Sequence, residues 1–501
     1  MSLINISNLT FAYEGSYDNI FENVSFQIDT DWKLGFTGRN GRGKTTFLNL
    51  LIGEYEYAGN ISANVEFQYF PFHISDKTLD TNAVIENLCP YHQRWQLLRE
   101  LSLLAVSADV LTRPFNTLSN GEQTKVMLAT LFLSQNSFLL IDEPTNHLDI
   151  AGREIVSRYL NSKSGFILVS HDRSFLDGCV DHILSINRAN IEVQKGNFSS
   201  WLKNKELQDS FELAENEKLK KDIKRLKQAA KQSSDWADKV ESTKKGKGAT
   251  AARKKGHVGM DTMAYNAEKS RRMQQRRKNL ERRQHEAIDD KSKLLKNIEQ
   301  ADALKITQLS YHKARYLTLA DVSIYYGEKV ACKDISFSID RGDRVAISGK
   351  NGSGKSSILK LICGDALSHT GELSIGSGLK ISYVSQDTSH LKGNLTDYAR
   401  EADIDESLFK AILHKLDFTR TQFEKDMADF SGGQKKKTLI AKSLCEKAHL
   451  LIWDEPLNFV DVLSRMQIEE LLRGYEPTIL FVEHDRVFSD SIATKMIVLV
   501  G

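Results

Sequence analysis

Four motifs occur twice in this chain, in the same order, and that repeat constrains the fold more than any other feature. GRNGRGKT begins at Gly38 and GKNGSGKS at Gly349, an offset of 349 − 38 = 311. LSNGEQ and FSGGQK carry Ser119 and Ser431, an offset of 431 − 119 = 312. FLLIDEP and LLIWDEP carry Asp142 and Asp454, an offset of 454 − 142 = 312. VSHD and VEHD carry His171 and His484, an offset of 484 − 171 = 313. A nearly constant offset across four motifs means tandem duplication with an inserted segment. The predicted division is 1–200, an intervening segment 201–310, and 311–501.

Each copy alternates strand-like and helix-like stretches. WKLGFTG and RVAISG are short apolar runs that enter a glycine loop and then an apolar helix. FLLID, GFILVS, LLIWD and TILFVE are further apolar runs with polar ends. The alternation predicts an α/β fold, with its sites at the carboxyl ends of parallel strands.

The remaining sequence narrows the class. At 501 residues, 41% hydrophobic and 27% charged, the chain has material for more than one core. No run of about 18 apolar residues predicts a membrane span, and MSLINISNLTFAY lacks the layout of a signal peptide. Cys89, Cys179, Cys332, Cys363 and Cys445 form no CxxC pair. That argues against a disulfide framework or a zinc or iron–sulfur centre, and fits a reducing cytoplasm.

G-x-x-x-x-G-K-[ST] is a phosphate-binding loop. Its glycines let backbone N–H groups wrap phosphates, and the helix that follows adds positive potential. The predicted phosphate contacts are Gly38, Asn40, Gly41, Gly43, Lys44, Thr45 and Thr46 in one copy. In the other they are Gly349, Asn351, Gly352, Gly354, Lys355, Ser356 and Ser357. Thr45 and Ser356 supply hydroxyls to Mg²⁺, with Asp142 and Asp454 at the ends of apolar strands. Glu143 and Glu455 follow at once, placed to orient an attacking water. Ser119, Asn120 and Gly121, like Ser431, Gly432 and Gly433, precede helical stretches. Such a stretch can bind a phosphate at a helix start or serve only as an N-cap.

Together these motifs resemble ATP-binding-cassette ATPases. The resemblance implies two cassettes paired head to tail, with each ATP between one phosphate loop and the other copy's serine–glycine signature. Site one then joins Gly38–Thr45, Asp142, Glu143 and His171 to Ser431–Gly433. Site two joins Gly349–Ser356, Asp454, Glu455 and His484 to Ser119–Gly121. The histidines match the family's γ-phosphate contact, and Asp149 and Asp461 match the loop that couples the sites. Tyr13 and Tyr326 sit where the family stacks an aromatic ring on adenine, although core packing is an alternative role. Gln386 in YVSQ matches a glutamine that contacts metal and water; YFPF places Phe72 there in the first copy. Asn120 stands where the signature has glycine. The expectation is unequal sites, with site one slower.

The middle segment is basic from Lys218 to Gln284. Neither glycine nor proline interrupts Trp201–Lys245 or Met260–Tyr326, so long helices are predicted. Leu219, Ile223, Leu226 and Ala230 form one narrow apolar seam. Met273, Leu280, Ala287 and Leu294 form another, as in a helical hairpin. The predicted tip loop spans about 244–265. A basic coil can be a solvated spacer or a polyanion contact. Two tandem cassette ATPase domains joined by a long α-helical hairpin linker resemble the ABC-F class. GNFSSW resembles that class's lead-in to the linker, and DWKLGFTGRNGRGKTT, IDEPTNHLD, LIWDEPLNFVDV and VEHD are most similar to its Lsa-type antibiotic-resistance group.

That resemblance implies a cytoplasmic, ATP- and Mg²⁺-dependent protein, monomeric off the ribosome and with no membrane partner. It would bind the ribosomal exit site, with 23S rRNA and P-site tRNA as partners. Its linker would displace lincosamide, streptogramin A or pleuromutilin drugs from the peptidyl-transferase centre. Lys254, Lys255, His257, Val258, Met260, Met263 and Tyr265 would be the RNA- or tRNA-contacting tip. A housekeeping translation factor and a tandem importer ATPase are the alternatives. The short stretch after Leu51 leaves no room for the class's optional arm, and no C-terminal extension is expected after the last strand.

Overall fold

The computed structural model describes residues 2–14, 19–134, 136–146, 148–186, 191–251 and 308–499, without side chains at 226, 227 and 229–251. Both copies build the same two-layer scaffold. In the first, a sheet runs in the order Glu66–Phe70, Ser137–Asp142, Phe166–Val169, Lys33–Thr37, His182–Ile186, Ile191–Lys195. Its first five strands are parallel and the last is antiparallel. In the second, five parallel strands run Ile381–Val384, Leu450–Asp454, Ile479–Val482, Arg344–Gly349, Lys495–Leu499. Strands covered on both faces must be apolar throughout. FILV and ILFV are accordingly buried at every position.

A three-stranded antiparallel sheet lies beside each parallel one. Leu3–Phe11 runs between Phe21–Asp29 and Ala58–Ser62, and Arg315–Tyr326 between Lys329–Asp340 and Ser368–Ile375. One core joins the two sheets in each copy. Phe21, Phe36 and Phe47 are buried in the first, and Leu317, Ile347 and Ile358 in the second. Helix Lys44–Ile52 is gripped there by the rings of Phe21, Phe26 and Phe36 around Phe47. Strand Ala58–Ser62 begins shortly after this helix, which leaves only a short turn after Leu51.

The repeat extends beyond the motifs. Helix Arg94–Leu103 has its counterpart in Glu406–Lys415 at offset 406 − 94 = 312. Both are followed by a residue in the left-handed region, Ala105 at φ 51° and Asp417 at φ 69°.

By contact density the two copies, Met1–Trp201 with Ala303–Gly501, form one compact unit, and Leu202–Asp302 forms another. The lead-in GNFSSW is anchored: Phe198 and Trp201 are buried, and Ser199 N–H donates to Asp177 at 2.8 Å. From Phe198 the helix continues to Ala251, 54 residues or about 80 Å of continuous turns. This corrects the expected start of the tip loop, because Lys244, Gly246 and Gly248 are helical. Glycine costs about 1 kcal/mol in a helix but, unlike proline, keeps its N–H. The return seam and Lys254, Lys255, His257, Val258, Met260, Met263 and Tyr265 lie outside the described residues.

Candidate active site

Both phosphate loops turn from strand to helix through a left-handed glycine. Gly43 has φ 92°, and a Cβ there would lie 2.5 Å from Ile20. Gly354 has φ 83°, and its Cβ would lie 2.7 Å from the Ala331 carbonyl. Only glycine combines that backbone with that space. The lysines fold over their own loops. Lys44 Nζ donates to the carbonyls of Gly38 at 2.8 Å and Arg39 at 3.2 Å, and Lys355 Nζ to those of Gly349 and Lys350, both at 2.9 Å. Burial lowers both ammonium pKa values, against the pull of neighbouring carboxylates.

Each loop hydroxyl reaches its strand-end aspartate. Thr45 Oγ1 donates to Asp142 at 3.0 Å and Ser356 Oγ to Asp454 at 3.1 Å. Tyr69 adds a second donor to Asp142 at 3.1 Å. Burial raises both aspartates. No cluster of three or more His, Cys, Asp or Glu side chains suited to a metal occurs among the described residues. One carboxylate beside one hydroxyl fits Mg²⁺, which takes few protein ligands and completes its shell with phosphate and water.

Glu143 and Glu455 occupy the left-handed region at φ 50° and 46°. Such backbone is strained for a non-glycine residue and concentrates at functional sites. Their surroundings differ sharply. Gln386 Nε2 donates to Glu455 at 2.8 Å and Asn458 Nδ2 at 2.6 Å, with His484 Nε2 at 3.4 Å. Burial pushes Glu455 up, but His484, Asn458 and Lys355 together hold it below the ordinary value. Glu143 is pushed up to about 8 by burial and by Asp142. Its Oε1 lies 3.2 Å from His171 Nε2, yet among the described residues this buried oxygen accepts no aligned hydrogen bond. Burial, with Lys44 nearby, keeps His171 well below its ordinary pKa and so neutral. Phe72, half-buried, carries no group able to do what Gln386 does.

The copies meet head to tail. A cavity of about 1010 Å³ is lined by Ser119, Asn120 and Gly121 on one side and by Lys355, Ser356 and Glu455 on the other. Gly352, Gly354, Ser357, Gln386, His484 and Tyr326 line it too, so the elements predicted for site two converge. Tyr326 OH bonds Ser357 at 3.2 Å, and Tyr13 OH bonds Thr46 at 2.7 Å. Both tyrosines are exposed and bonded to the first turn of their loop's helix, and Tyr13 also packs edge-on against the core residue Phe11. At site one the signature is drawn against the loop. Asn40 Nδ2 donates to the Phe459 carbonyl at 2.6 Å, and a Cβ on Gly433 would lie 2.6 Å from that Nδ2.

Both signature serines cap their helices. Ser119 forms a reciprocal box with Glu122, and Ser431 with Gln434. The capping role and the phosphate-facing position coexist, because the N–H groups beyond the cap still point outward. Asp149 and Asp461 cap their helices through Gly152 N–H at 2.8 Å and Ser464 N–H at 2.9 Å.

Sequence reasoning missed Asn458. The shared DEPxN of DEPTN and DEPLN was the available signal. It also missed Arg153, which bonds Asp172 at 2.8 Å and reaches the His484 carbonyl of the other copy at 3.3 Å.

Two phosphate loops, each facing the other copy's signature across a strand-end carboxylate pair, agree with the comparisons. The ABC transporter family profile matches residues 21–146 and 332–458. The chain belongs to the ABC transporter family. Its cassettes are ATP-binding ATPase domains in tandem. The chain is 28% identical to the ribosome protection protein VmlR of Bacillus subtilis, over 99% of this chain and 86% of that protein. It is 26% identical to the ATP-binding protein Uup of Buchnera aphidicola, over 99% and 80%. It is also 26% identical to ABC transporter F family member 2 of Arabidopsis thaliana, over 99% and 76%. Each of these alignments spans both cassettes and the segment between them. Among solved structures, the archaeal ribosome recycling factor in complex with a ribosomal stalk protein superposes with a TM-score of 0.63 at 18% identity, over 99% of this chain and 87% of that one. At that identity the likeness is one of fold. No helix among the described residues is long and apolar enough to cross a membrane.

Proposed function

We propose that this chain is a cytoplasmic ATP-dependent ribosomal protection protein. The observation that carries this reading is the combination of two composite ATP sites with a long helix leading into a basic interdomain segment. The alignment to a ribosome protection protein over nearly the whole chain supports it. ATP draws the cassettes together, and the closed form binds the ribosomal exit site. The linker then bears on P-site tRNA and 23S rRNA and displaces drug from the peptidyl-transferase centre. Lys and Arg in this segment would neutralise RNA phosphates.

In each cassette the phosphate-loop lysine and backbone N–H groups hold the β- and γ-phosphates. Thr45 with Asp142, and Ser356 with Asp454, would hold Mg²⁺, which supplies charge neutralisation on the phosphates when bound. Glu455 accepts a proton from water as its oxygen attacks the γ-phosphorus. The γ-phosphorus–oxygen bond breaks, leaving ADP and inorganic phosphate. Gln386 and Asn458 hold Glu455 in place, and His484 faces the γ-phosphate. Hydrolysis removes the γ-phosphate that bridges the two halves, so ATP acts as a timer.

Expression in a drug-sensitive strain tests the reading. Raised tolerance to lincosamides, streptogramin A or pleuromutilins that is lost with Lys355→Ala supports protection. Unchanged susceptibility with ribosome binding intact favours a housekeeping translation factor.

A further inference from the structure

The duplication allows the same position to be compared on the two sides of the cassette interface, and the ion pairs there are unequal. At site one, Asp417 pairs with Arg39 at 3.1 Å and lies 3.7 Å from Arg42, both in the first phosphate loop. At site two the corresponding residues are Lys350 and Ser353 in the loop and Ala105 across from them. No carboxylate stands there to grip the loop, and no ion pair to Lys350 occurs among the described residues.

A second pair repeats the pattern. Arg173, two residues after the switch histidine of site one, makes a buried, two-pronged bridge to Glu469 at 3.0 and 3.1 Å. The corresponding residues on the other side are Arg486 and Ser157. With serine in place of glutamate, Arg486 makes exposed, single-pronged contacts instead, 3.4 Å to Glu154 and 3.8 Å to Asp490 on its own helix. A cavity of about 590 Å³ opens there, lined by Ser157, Gly178, Arg486 and His484.

A third difference lies in the signature helices. Lys437 is tied to Asp461 at 2.8 Å, both buried. Lys125 and Asp149 both line the open site-two cavity without an ion pair between them among the described residues.

Buried, two-pronged arginine–carboxylate pairs resist separation far more than exposed ones, because parting them strands a desolvated charge. We infer that Asp417 and Glu469 are positioning residues that latch site one shut, so that the cassettes part and exchange nucleotide at site two first. Site one then holds its nucleotide through several openings of site two. The less supported Glu143 fits a site that holds more than it turns over. The inference rests on the two-site ATP reading and is independent of the ribosomal one.

The test is nucleotide release from the free, full-length protein. The chain is loaded with Mg²⁺ and ATP labelled at the α-phosphate, then chased with excess unlabelled ATP. The expected release is biphasic, one label per chain in each phase. Lys44→Ala removes the slow phase and Lys355→Ala the fast one. The near-isosteric double variant Asp417→Asn with Glu469→Gln accelerates the slow phase by roughly tenfold, towards the fast one. Ser157→Glu, which offers Arg486 a partner, slows the fast phase. This gain keeps the test valid should the double variant fold poorly. Single-phase release by the parent protein, a slow phase lost with Lys355→Ala, or an unchanged slow phase in a folded double variant overturns the latch. If neither lysine variant loses a phase, the two-site reading itself fails.

Discussion

Gln386 donates a 2.8 Å hydrogen bond to Glu455, and Phe72 stands at the corresponding position of the first copy. One glutamate is held by an amide and the other is not. Supplying the amide should repair site one. In a Glu455→Gln background, where site one carries the residual ATPase, Phe72→Gln should raise turnover by about 3- to 10-fold. Steady-state phosphate release measures it. No change would mean that Phe72 is not what limits site one.

The glutamates should also give the sites different pH profiles. Glu143, raised to about 8, is protonated at neutral pH and cannot accept a proton. Residual turnover of Glu455→Gln should therefore climb as pH rises from 6 through about 8. Glu455 is held low and is already ionised, so Glu143→Gln should be nearly flat over the same range. The stability linkage has a definite sign. A carboxyl whose folded value exceeds its unfolded one binds its proton more tightly in the native state. Its contribution is fully present at low pH and is lost as pH rises from about 4.5 to about 8. Glu143→Gln should accordingly flatten part of the thermal-midpoint decline across that window.

How much of this was legible depended on distance along the chain. The phosphate loops, Asp142–Glu143 and Asp454–Glu455 are contiguous motifs whose chemistry is local, and the resemblance they carry implied the head-to-tail pairing that brings Ser119 to Ser356. Phe72 was visible as a departure because its partner Gln386 sits in an otherwise matching string. Asp417 was not legible. It meets Arg39 across the cassette interface, and nothing local in HKLDFT signals an ion pair. Gly246 and Gly248 misled in the other direction, because glycine weakens a helix without ending it.

Gly433 should be intolerant of any side chain. A Cβ there would lie 2.3 Å from the Phe459 carbonyl, on backbone that cannot swing aside. Gly433→Ala should lower ATP-dependent closure of site one by at least about tenfold, at a cost on the order of 1–3 kcal/mol for the overpacked contact. The phase of nucleotide release that Lys44→Ala removes is the measure, and an unaltered phase would contradict the close approach.

The 244–265 segment should separate engine from effect. Replacing Gly256–Met263 with a Gly/Ser loop should leave ATPase turnover and ribosome binding within about twofold and abolish drug tolerance. Undiminished tolerance would reduce this stretch to a connector.

The central claim is that ATP closure creates a ribosome-binding form. Its most direct test is sedimentation of Glu143→Gln with Glu455→Gln, which binds ATP but cannot clear it, with ribosomes in the presence of ATP and Mg²⁺. The account predicts near-stoichiometric co-sedimentation with ATP and little with ADP. Failure to co-sediment with ATP, or equal binding with either nucleotide, would contradict it.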